Sequence, residues 1–493
     1  MKQQERKREK QPKQQKRQKN DIYENKQKGL RNKETNMISI FFIGLFLIMG
    51  AYLVYFNVSV APNVINNPYN KRIDNQSKKI IRGDILAADG SVIATTKVDD
   101  DGNEKRFYPY DALFSQVIGL TNAKTGIEGL ANYELLSRND DFIQQIIDDL
   151  SEEKTVGNTV VTTLDPKLQK AAYDAIGSAK GAVICMEPST GKVLAMVSKP
   201  DYNPNKAITD YNSWLELDSA DSVLLNRATQ GLYPPGSTFK ILTALEYVRE
   251  NSDFNEYTYE CSGSAYAEGG TTIPCNNNKK HGTENLKDAF AYSCNSAFSS
   301  IGLSLNKKSF RELCEKFQFN RNLEIGIESN PSSFVADENS GVSEMQETSI
   351  GQGRTMITPI HNLMIAAAVA NGGTMMKPYF ITEVKDSYGN VLKEYAPSAK
   401  ADVISLQEAN IIKEYMRAVT EYGTGSSFYN VSYDAAGKTG TAQYGDGKNA
   451  HMWFTGFAPY DNPEITVCVI LEGGSSSKSA QQVAKKVFDK YFE

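Results

Sequence analysis

The chain has 493 residues, of which 40% are hydrophobic, and a net charge of −5. This length excludes a single compact core and predicts two to four domains, and the apolar share is ordinary for a folded protein. The charge is uneven, because residues 1–36 carry 13 Lys or Arg against 5 Asp or Glu, which leaves 41 basic against 54 acidic side chains elsewhere. A basic tail on an acidic body suits either nucleic acid or a membrane surface, and the next segment decides between them.

A long apolar segment follows the basic tail. Residues 35–70 contain no charged side chain, and the twenty residues 37–56 are almost all apolar. Twenty helical residues span about 30 Å, the thickness of a bilayer core. A buried helix of a soluble domain and a cleaved signal peptide are the alternatives, but both normally have shorter apolar runs. We therefore expect one uncleaved transmembrane anchor at 37–57.

The flanking charges predict the topology of this anchor. Lys and Arg crowd its N-terminal side, so the positive-inside rule places residues 1–36 in the cytoplasm and the chain after about residue 58 outside. The tail itself is rich in Gln and Lys and nearly free of apolar residues, so we expect it to be disordered. A solvent-exposed basic segment that sets the orientation of the anchor in the membrane explains this composition, and we expect no nucleic-acid binding.

Residues 58–155 predict a small β-rich linker module without visible chemistry. Within it, two short apolar runs in segment 78–96 flank an Ala-Asp-Gly turn. Such a pattern indicates a β-hairpin. No internal repeat is visible along the chain.

The rest of the chain, residues 156–493, predicts one domain with β-rich ends and a mostly helical middle. Its first part predicts a strand, a helix and a hairpin, and its last part predicts three strands and a closing helix. A helical block at about 237–430 separates the two parts. The fold class is therefore α+β, an α/β sandwich whose antiparallel sheet is built from both ends of the domain around a helical insert. In chain order, the strand, helix and two hairpin strands of the first part and the three strands and closing helix of the last part are the segments 158–165, 166–179, 181–188, 192–198, 437–443, 451–460, 464–474 and 478–493.

The strongest local signal is the segment Tyr-Pro-Pro-Gly-Ser-Thr-Phe-Lys at 233–240. The prolines and the glycine cannot begin a regular helix, but apolar residues recur at helical spacing afterwards, so a helix begins at or near Ser237. Ser237 and Lys240 then share one face of its first turn. A serine hydroxyl needs a base to act as a nucleophile, and a lysine with a lowered pKa can supply it. Alone, the pattern also fits a helix-capping serine beside a solvated lysine.

Two further elements support a catalytic interpretation. Ser293-Cys294-Asn295 lies between two apolar helical stretches, where the first and third side chains can project to one side. The segment Gly-Lys-Thr-Gly-Thr at 437–441 lies on a predicted strand, where small residues let a substrate backbone approach and Lys438 adds a cation. Each also has a plain structural explanation, as a helix cap and as a polar strand end.

The six cysteines predict no metal site. There is no Cys-x-x-Cys pair and the chain has only three His, so we expect no zinc and no other metal. Cys261 and Cys275 lie 14 residues apart in a Gly/Ser-rich loop, and whether they form a disulfide is left open. The other four are expected to be small buried residues.

Together, the three elements Ser-x-x-Lys, Ser-x-Asn and Lys-Thr-Gly resemble the motif set of penicillin-binding proteins and serine β-lactamases. Over about residues 158–493 the surroundings are similar to class B penicillin-binding proteins, the monofunctional transpeptidases. The segments that carry the similarity are TTLDPKLQ, EPSTGKVLAMVS, PPGSTFK, SCNSAF, the Gly-Gln-Gly at 351–353 followed by Thr-Pro, and KTGTAQ. The segment RGDILAADG more weakly resembles the N-terminal module of that family, with Ala88 where an Arg is usual.

The resemblance implies a set of catalytic roles. Ser237 attacks the D-Ala–D-Ala carbonyl of a peptidoglycan stem peptide, and Lys240 takes its proton. Ser293 relays a proton towards the leaving D-Ala. Asn295 holds Lys240 and the substrate amide.

It also implies which groups bind the substrate. Lys438 and Thr439 bind the terminal carboxylate of the stem peptide or of a β-lactam, on a strand that continues through Gly440. Backbone N–H groups of Ser237 and Thr441 form the oxyanion hole. No cofactor is implied.

The implied function is a peptidoglycan D,D-transpeptidase that β-lactams inhibit covalently. A D,D-carboxypeptidase, with water as acceptor, remains an alternative. A β-lactamase would need a dedicated base to activate water, to which we can assign no residue, and a β-lactam sensor would need several membrane helices. The resemblance further implies a separate glycan polymerase of the SEDS (RodA/FtsW-like) family as partner, contacted through the anchor and residues 58–155.

Overall fold

The computed structural model describes residues 2–60, 79–138, 154–218, 220–444, 449–473 and 478–493. The chain divides into two compact units, Met1–Asn70 and Lys71–Glu493. The first unit consists of helix α1, Lys2–Tyr55, and one π-helical turn, Phe56–Val60. By length and composition, the segment Gln15–Tyr55 of this helix is apolar enough to cross a membrane.

Helix α1 differs from the sequence-based expectation in its N-terminal half. Residues 1–36 were expected to be disordered, but the helix begins at Lys2 and continues through that segment. Lys, Arg, Gln and Glu all have high helix propensity. The apolar helix that follows also provides the costly nucleus, from which a helix extends at little further cost.

The second unit contains nineteen strands and thirteen helices of α type among the residues that the structure describes. The helices are α2 Ser115–Ile118, α3 Gly126–Leu130, α4 Asn132–Leu135, α5 Pro166–Ile176, α6 Ala207–Leu215, α7 Lys240–Glu250, α8 Leu286–Ala291, α9 Asn295–Ser304, α10 Lys307–Lys316, α11 Val342–Ser349, α12 Pro359–Ala370, α13 Leu406–Glu421 and α14 Ala480–Tyr491. The strands are β1 Ile80–Ile81, β2 Ile85–Leu86, β3 Val92–Val98, β4 Glu104–Phe107, β5 Thr155–Val156, β6 Thr159–Thr162, β7 Gly181–Met186, β8 Val193–Lys199, β9 Thr258–Cys261, β10 Ser264–Ala265, β11 Ile273–Pro274, β12 Gly282–Asn285, β13 Thr374–Met376, β14 Ile381–Lys385, β15 Val391–Glu394, β16 Ala399–Asp402, β17 Ala436–Tyr444, β18 Asn449–Ala458 and β19 Ile465–Leu471.

A five-stranded antiparallel sheet forms the centre of the larger unit, in the order β17-β18-β19-β7-β8. It joins both ends of the domain, as the alternating and apolar segments predicted. Strands β7 and β19 are buried along their whole length. Helices α5 and α14 pack on one face through a shared apolar cluster, and α12 contacts the same sheet. Every residue of α12 is buried, which explains why it is apolar on all sides.

Local sequence signals determine where the two helices of the apolar cluster begin. The side chain of Asp165 accepts hydrogen bonds from the N–H groups of Lys167 and Leu168 at the start of α5. Ser479 and Gln482 form a reciprocal capping box at the start of α14. Such caps satisfy N–H groups that have no partner inside the helix.

A second, six-stranded sheet has the order β15-β14-β6-β2-β3-β4. The predicted hairpin of residues 78–96 is present in it, as β2 paired antiparallel with β3. Strand β6, which we placed in the domain at 156–493, pairs in parallel with β2 and antiparallel with β14. The sheet therefore includes strands from both sides of the predicted domain boundary at 155/156. Alternation of apolar and polar residues predicts that a segment is a strand, but it does not predict which strand pairs with it.

A buried ion-pair network lies under this second sheet. Glu128 is fully buried, and its carboxylate accepts from Arg82 Nε at 2.7 Å and from Arg106 Nε at 2.8 Å. Tyr108 donates its hydroxyl to the same carboxylate at 3.2 Å. Burial acts to raise the pKa of Glu128, but the two guanidinium groups outweigh it and lower the pKa. The carboxylate of Glu128, on α3, thus links Arg82, which directly follows β1, to Arg106 on β4.

Candidate active site

The turn that carries Ser237 depends on glycine. Gly236 has φ +54°, and a Cβ added there would lie 2.6 Å from the carbonyl oxygen of Thr441. Its N–H donates to the oxygen of Gly351 at 2.8 Å. The indole N–H of Trp453 donates to the oxygen of Pro234 at 3.1 Å. These contacts hold the turn close to strands β17 and β18.

Ser237 lies in a short 3₁₀ turn, Gly236–Phe239, and α7 continues from Lys240. The predicted helix start is therefore correct to within one turn, although the first turn is 3₁₀ and not α. In a 3₁₀ turn, side chains at positions i and i+3 eclipse one another, so Ser237 and Lys240 are on one side. Ser237 is half-buried and lines the large cleft described below, whereas Lys240 is fully buried beneath it.

The ammonium group of Lys240 is held by the Ser293–Asn295 segment. Lys240 Nζ donates to the carbonyl oxygen of Ser293 at 2.8 Å, to Ser293 Oγ at 3.3 Å and to Asn295 Oδ1 at 2.8 Å. Burial lowers the pKa of Lys240 to about 8. In the described part of the chain, the hydrogen bonds of Lys240 go to this segment and not to Ser237. Apo active sites commonly have such looser nucleophile–base geometry.

Ser293 has an unusual backbone conformation. It connects α8 to α9 with φ +59°, a left-handed conformation that costs energy for a residue other than glycine. Cys294 Sγ caps α9 by accepting from the N–H of Ala297 at 3.4 Å. The side-chain amide of Asn295 donates to the oxygen of Pro274 at 2.9 Å. The first and third side chains therefore both face the cleft, as predicted.

A second buried lysine, Lys438, also approaches the hydroxyl of Ser293. Lys438 Nζ lies 3.0 Å from Ser293 Oγ and 3.1 Å from the oxygen of Thr439. Burial lowers the pKa of Lys438 well below its usual value, and the charge of Lys240 lowers it further. The hydroxyl of Ser293 thus lies within hydrogen-bond distance of two buried lysine amines.

Strand β17 provides the cleft wall that contains Thr439, Gly440 and Thr441. Thr439 Oγ1 lies 2.6 Å from Thr424 Oγ1. A Cβ at Gly440 would lie 3.1 Å from both Thr238 and Trp453, so a small residue lets the strand lie close to the nucleophile turn. Thr441 is exposed.

The sequence-predicted residues surround one open cleft of about 1450 Å³. Six of the eight line its surface, and the two lysines lie buried beneath it. The lining residues among them are Ser237, Ser293, Asn295, Thr439, Gly440 and Thr441. Three segments separated by 53 to 145 residues therefore converge, and a hydroxyl, two amines and an amide meet within hydrogen-bond distance.

No sequence pattern indicated a role for the Gly-Gln-Gly loop or for Thr424. Gly351 has φ +73°, and a Cβ there would lie 2.0 Å from the oxygen of Gly236. Gln352 Nε2 lies 3.5 Å from the oxygen of Thr441. The closely spaced glycines were the available signal for the loop, but no local pattern marked Thr424, whose position depends on the fold.

All six cysteines are buried, as predicted for the four outside the pair Cys261 and Cys275. All six are free, and the Sγ atoms of Cys261 and Cys275 lie 3.7 Å apart without a bond. These two, together with His281 and Cys294, present four metal-binding atoms within 4.8 Å of one another. The missing Cys-x-x-Cys spacing gave no signal of this cluster, because its four side chains come together only in the tertiary structure.

Comparisons with known proteins identify related families. Residues 181–493 match the penicillin-binding protein transpeptidase domain family, and residues 82–160 match the dimerisation domain family of penicillin-binding protein A. The chain is 30% identical over 485 residues to the peptidoglycan D,D-transpeptidase PbpA of Mycolicibacterium smegmatis, which covers 91% of this chain and 95% of that protein. It is 30% identical over 450 residues to the peptidoglycan D,D-transpeptidase MrdA of Acinetobacter baumannii. This match covers 78% of this chain and 65% of that protein.

Solved structures show the same likeness. The imipenem acyl-enzyme complex of penicillin-binding protein A from M. tuberculosis has a TM-score of 0.77 and 28% identity, covering 85% of this chain and all of that one. The D,D-transpeptidase domain of a peptidoglycan glycosyltransferase from Eggerthella lenta has a TM-score of 0.76 and 27% identity. This match covers 84% of this chain and 98% of that one.

Proposed function

The chain belongs to the family of penicillin-binding protein transpeptidases, and from this premise we propose which of its residues carry out each step. Its activity is peptidoglycan D,D-transpeptidation through a serine acyl-enzyme that β-lactams also form. The observation that carries the residue-level proposal is the position of the Ser293 hydroxyl between the amines of Lys240 and Lys438.

Acylation begins at Ser237. Its Oγ attacks the carbonyl carbon of the penultimate D-Ala of a stem peptide, and the neutral amine of Lys240 takes the hydroxyl proton. The lowered pKa of Lys240 supports this role, because a base must be unprotonated at the operating pH. Asn295 Oδ1 holds the amine in position, and its side-chain amide also faces the substrate.

The proton then has to reach the leaving group. As the tetrahedral intermediate collapses, the bond to the terminal D-Ala nitrogen breaks and that nitrogen needs a proton. Ser293 Oγ lies within hydrogen-bond distance of Lys240, so it can give its own proton to the nitrogen and take one from the Lys240 ammonium. Transfers of this kind by a positioned group contribute about 10²- to 10⁴-fold to a rate.

Charge and backbone dipoles position the substrate. The terminal carboxylate binds Lys438 and Thr439, and the carbonyl oxygen accepts from the backbone N–H groups of Ser237 and Thr441. Both of these residues line the cleft, which supports the assignment. An oxyanion donor of this type contributes about 10²- to 10³-fold. An amine of a neighbouring stem then attacks the ester carbon, and the neutral amine of Lys240 takes the proton from that nitrogen. As the ester bond to Ser237 Oγ breaks, Lys240 returns this proton to the oxygen.

We also propose a membrane topology and a domain division for the whole chain. Residues 1–36 lie in the cytoplasm, 37–57 anchor the protein in the cell membrane with a single pass, 58–155 form the non-catalytic module and 156–493 the catalytic domain outside. The basic flank and the apolar helix support this topology. A glycan polymerase of the SEDS family supplies the strands and contacts the anchor and the module. Co-purification of the polymerase with a variant lacking both segments would contradict that contact.

A direct experiment locates the nucleophile. The full chain is treated with penicillin, digested, and analysed by mass spectrometry for the peptide that carries the added acyl group. We expect the adduct on Ser237 and its loss on incubation with an acceptor amine at a rate above that of hydrolysis. An adduct on any other serine would remove Ser237 from the mechanism.

A further inference from the structure

One carboxylate stands alone on the wall of the catalytic cleft. Among the described residues that line the cleft, Glu347 is the only Asp or Glu. Three lysines belong to the same region, Lys279 at its surface and Lys240 and Lys438 buried beneath it. The positive charge suits the terminal carboxylate of the donor stem peptide, so the one acidic side chain needs a different explanation.

The backbone connects Glu347 to the turn that carries the nucleophile. Glu347 lies in the last turn of α11, just before the Gly-Gln-Gly loop. Its carbonyl oxygen accepts from the N–H of Ile350 at 3.2 Å and from the N–H of Gln352 at 2.9 Å. The carbonyl oxygen of Gly351 in turn accepts from the N–H of Gly236 at 2.8 Å. All of these bonds belong to the main chain, so a change of the Glu347 side chain leaves them in place.

The carboxylate of Glu347 is half-buried and has no counter-charge in the described part of the chain. The one hydrogen bond that these residues give it is weak, from Ser343 Oγ to Oε1 at 3.5 Å. A Cβ at Gly353 would lie 3.0 Å from Oε2, so the glycine leaves that oxygen uncovered. Glu344, one turn earlier on the same helix, is by contrast paired with Arg354. The Glu347 carboxylate is therefore able to accept from a cationic donor in the cleft.

The proposed reaction brings one such donor into the cleft. The acceptor is an amine of a neighbouring stem peptide, and a lysine-type amine, with a pKa of about 10.4, is protonated at neutral pH. The contacts proposed for the donor stem use β17 and the segment 293–295, and they leave free the wall formed by α11 and the Gly-Gln-Gly loop. An ammonium group has three N–H donors and no acceptor, so a carboxylate is its matched partner.

We propose that Glu347 recognises the acceptor, and that its carboxylate binds the ammonium form of the incoming amine before the attack. This inference rests on the proposed function and adds the class of acceptor, a primary alkylammonium group. The ammonium group then releases one proton to solvent, and the neutral amine attacks the ester carbon. The C–N bond forms, the bond to Ser237 Oγ breaks, and a second proton passes from the nitrogen through Lys240 to that oxygen. Glu347 forms no covalent bond and determines specificity only.

Competition between two nucleophiles tests this role. The full chain, purified in detergent, is acylated with a synthetic stem peptide that ends in D-Ala–D-Ala, and is offered Nα-acetyl-lysine amide together with hydroxylamine. The first compound carries an ammonium group at neutral pH, whereas hydroxylamine is largely uncharged there. Mass spectrometry measures the ratio of the two products. Both products form from the same acyl-enzyme, so the ratio does not depend on how much of a variant is folded and active.

Matched variants separate charge from shape. Glu347→Gln should lower the ratio of lysine product to hydroxylamine product about 10- to 100-fold, as expected for the loss of one hydrogen bond to a charged group. Glu347→Asp keeps the charge and should retain most of the preference. Glu344→Gln removes the paired carboxylate of the same helix and should keep the wild-type ratio. Added salt should lower the ratio of the wild type and not that of Glu347→Gln, because salt screens a partly exposed ion pair.

The outcomes distinguish this inference from the assignment of the nucleophile. A wild-type product ratio in Glu347→Gln, with the acyl group still on Ser237, would overturn the role of Glu347 alone. Slower acylation of Glu347→Gln that disappears when the side-chain amine of the donor peptide is acetylated would place the carboxylate on the donor and also overturn it. Absence of any acyl group on Ser237 in the wild type would contradict the proposed function itself, and this inference with it.

Discussion

Lys438 Nζ lies 3.0 Å from Ser293 Oγ, which joins the sheet to the junction of α8 and α9. The two residues are 145 positions apart in the chain, and the lysine is fully buried. A buried amine with few partners is costly, so this hydrogen bond both satisfies Lys438 and orients the serine.

Ser237→Ala should abolish labelling by fluorescent penicillin, because the acyl group has no other oxygen to which it can bond. The fold should persist, since the side chain is half-buried and small. Gel fluorescence measures the labelling, and thermal melts of the variant and the wild type measure whether the fold persists. Ser213→Ala, at an exposed serine of α6, is the control and should label normally. Persistent labelling of Ser237→Ala would identify a different nucleophile.

Acylation should depend on pH through Lys240. The base acts as the neutral amine and burial lowers its pKa to about 8, so the acylation rate should rise about tenfold per pH unit below 8 and level off above it. An unperturbed lysine, with a pKa of about 10.4, would still show a rising rate at pH 9. Stopped-flow acylation across this range measures the profile. A profile that is flat from pH 6 to about 9 would rule out Lys240 as the base.

Ser293→Ala should slow acylation about 10²- to 10⁴-fold, because the hydroxyl passes the proton to the leaving group. Lys240 keeps its bonds to the Ser293 carbonyl and to Asn295, so the site should remain assembled. Ser304→Ala, on the exposed side of α9, is the matched control. Equal second-order acylation rates in the two variants would show that Ser293 carries no proton.

Gly351→Ala should disrupt the active site more than it disrupts the fold. The added Cβ would lie 2.0 Å from the oxygen of Gly236, directly behind the nucleophile turn. Gly389→Ala is the control, since Gly389 also has a positive φ, +89°, but has open space around its Cβ position. Both variants should lose about 1–3 kcal/mol to backbone strain, and only Gly351→Ala should also lose penicillin acylation. Normal acylation in Gly351→Ala would show that the loop does not support Ser237.

Glu128→Ala should destabilise the protein by about 3–5 kcal/mol, because it leaves two guanidinium groups buried without a counter-charge. Chemical denaturation of the full chain measures this. Glu134→Ala is the control: Glu134 pairs with the half-exposed Lys393, so its loss should cost about 1 kcal/mol or less. Similar costs for the two variants would show that the buried network does not stabilise the module.

The Glu128 network should also make stability depend on pH. The folded pKa of Glu128 is depressed, so its contribution is present above the unfolded pKa of about 4.3 and is lost as the pH falls towards the folded value. The unfolding free energy of the wild type should therefore fall in acid more steeply than that of Glu128→Ala. Parallel pH curves for the two proteins would contradict this.

Local patterns predicted much of the active site. The Pro-Pro-Gly turn followed by helical spacing located Ser237 and Lys240 correctly, because a break and an amphipathic period are properties of a few adjacent residues. The apolar strands at both ends of the catalytic domain were also correct. Periodicity could not predict that β6 joins the six-stranded sheet or that Ser293 adopts a positive φ, since both depend on partners far along the chain.

By itself, the amino-acid sequence determined the apolar segment at 37–57, the elements of the central sheet and the chemical identity of the proposed catalytic groups, because these depend on side-chain type and short-range spacing. Only the tertiary structure decided that Lys240 and Lys438 meet at one serine, and that cysteines 14 and 33 residues from Cys261 approach it with His281. The physical reason is that burial, pKa and ligand geometry depend on distances through space, and packing of the whole domain sets those distances.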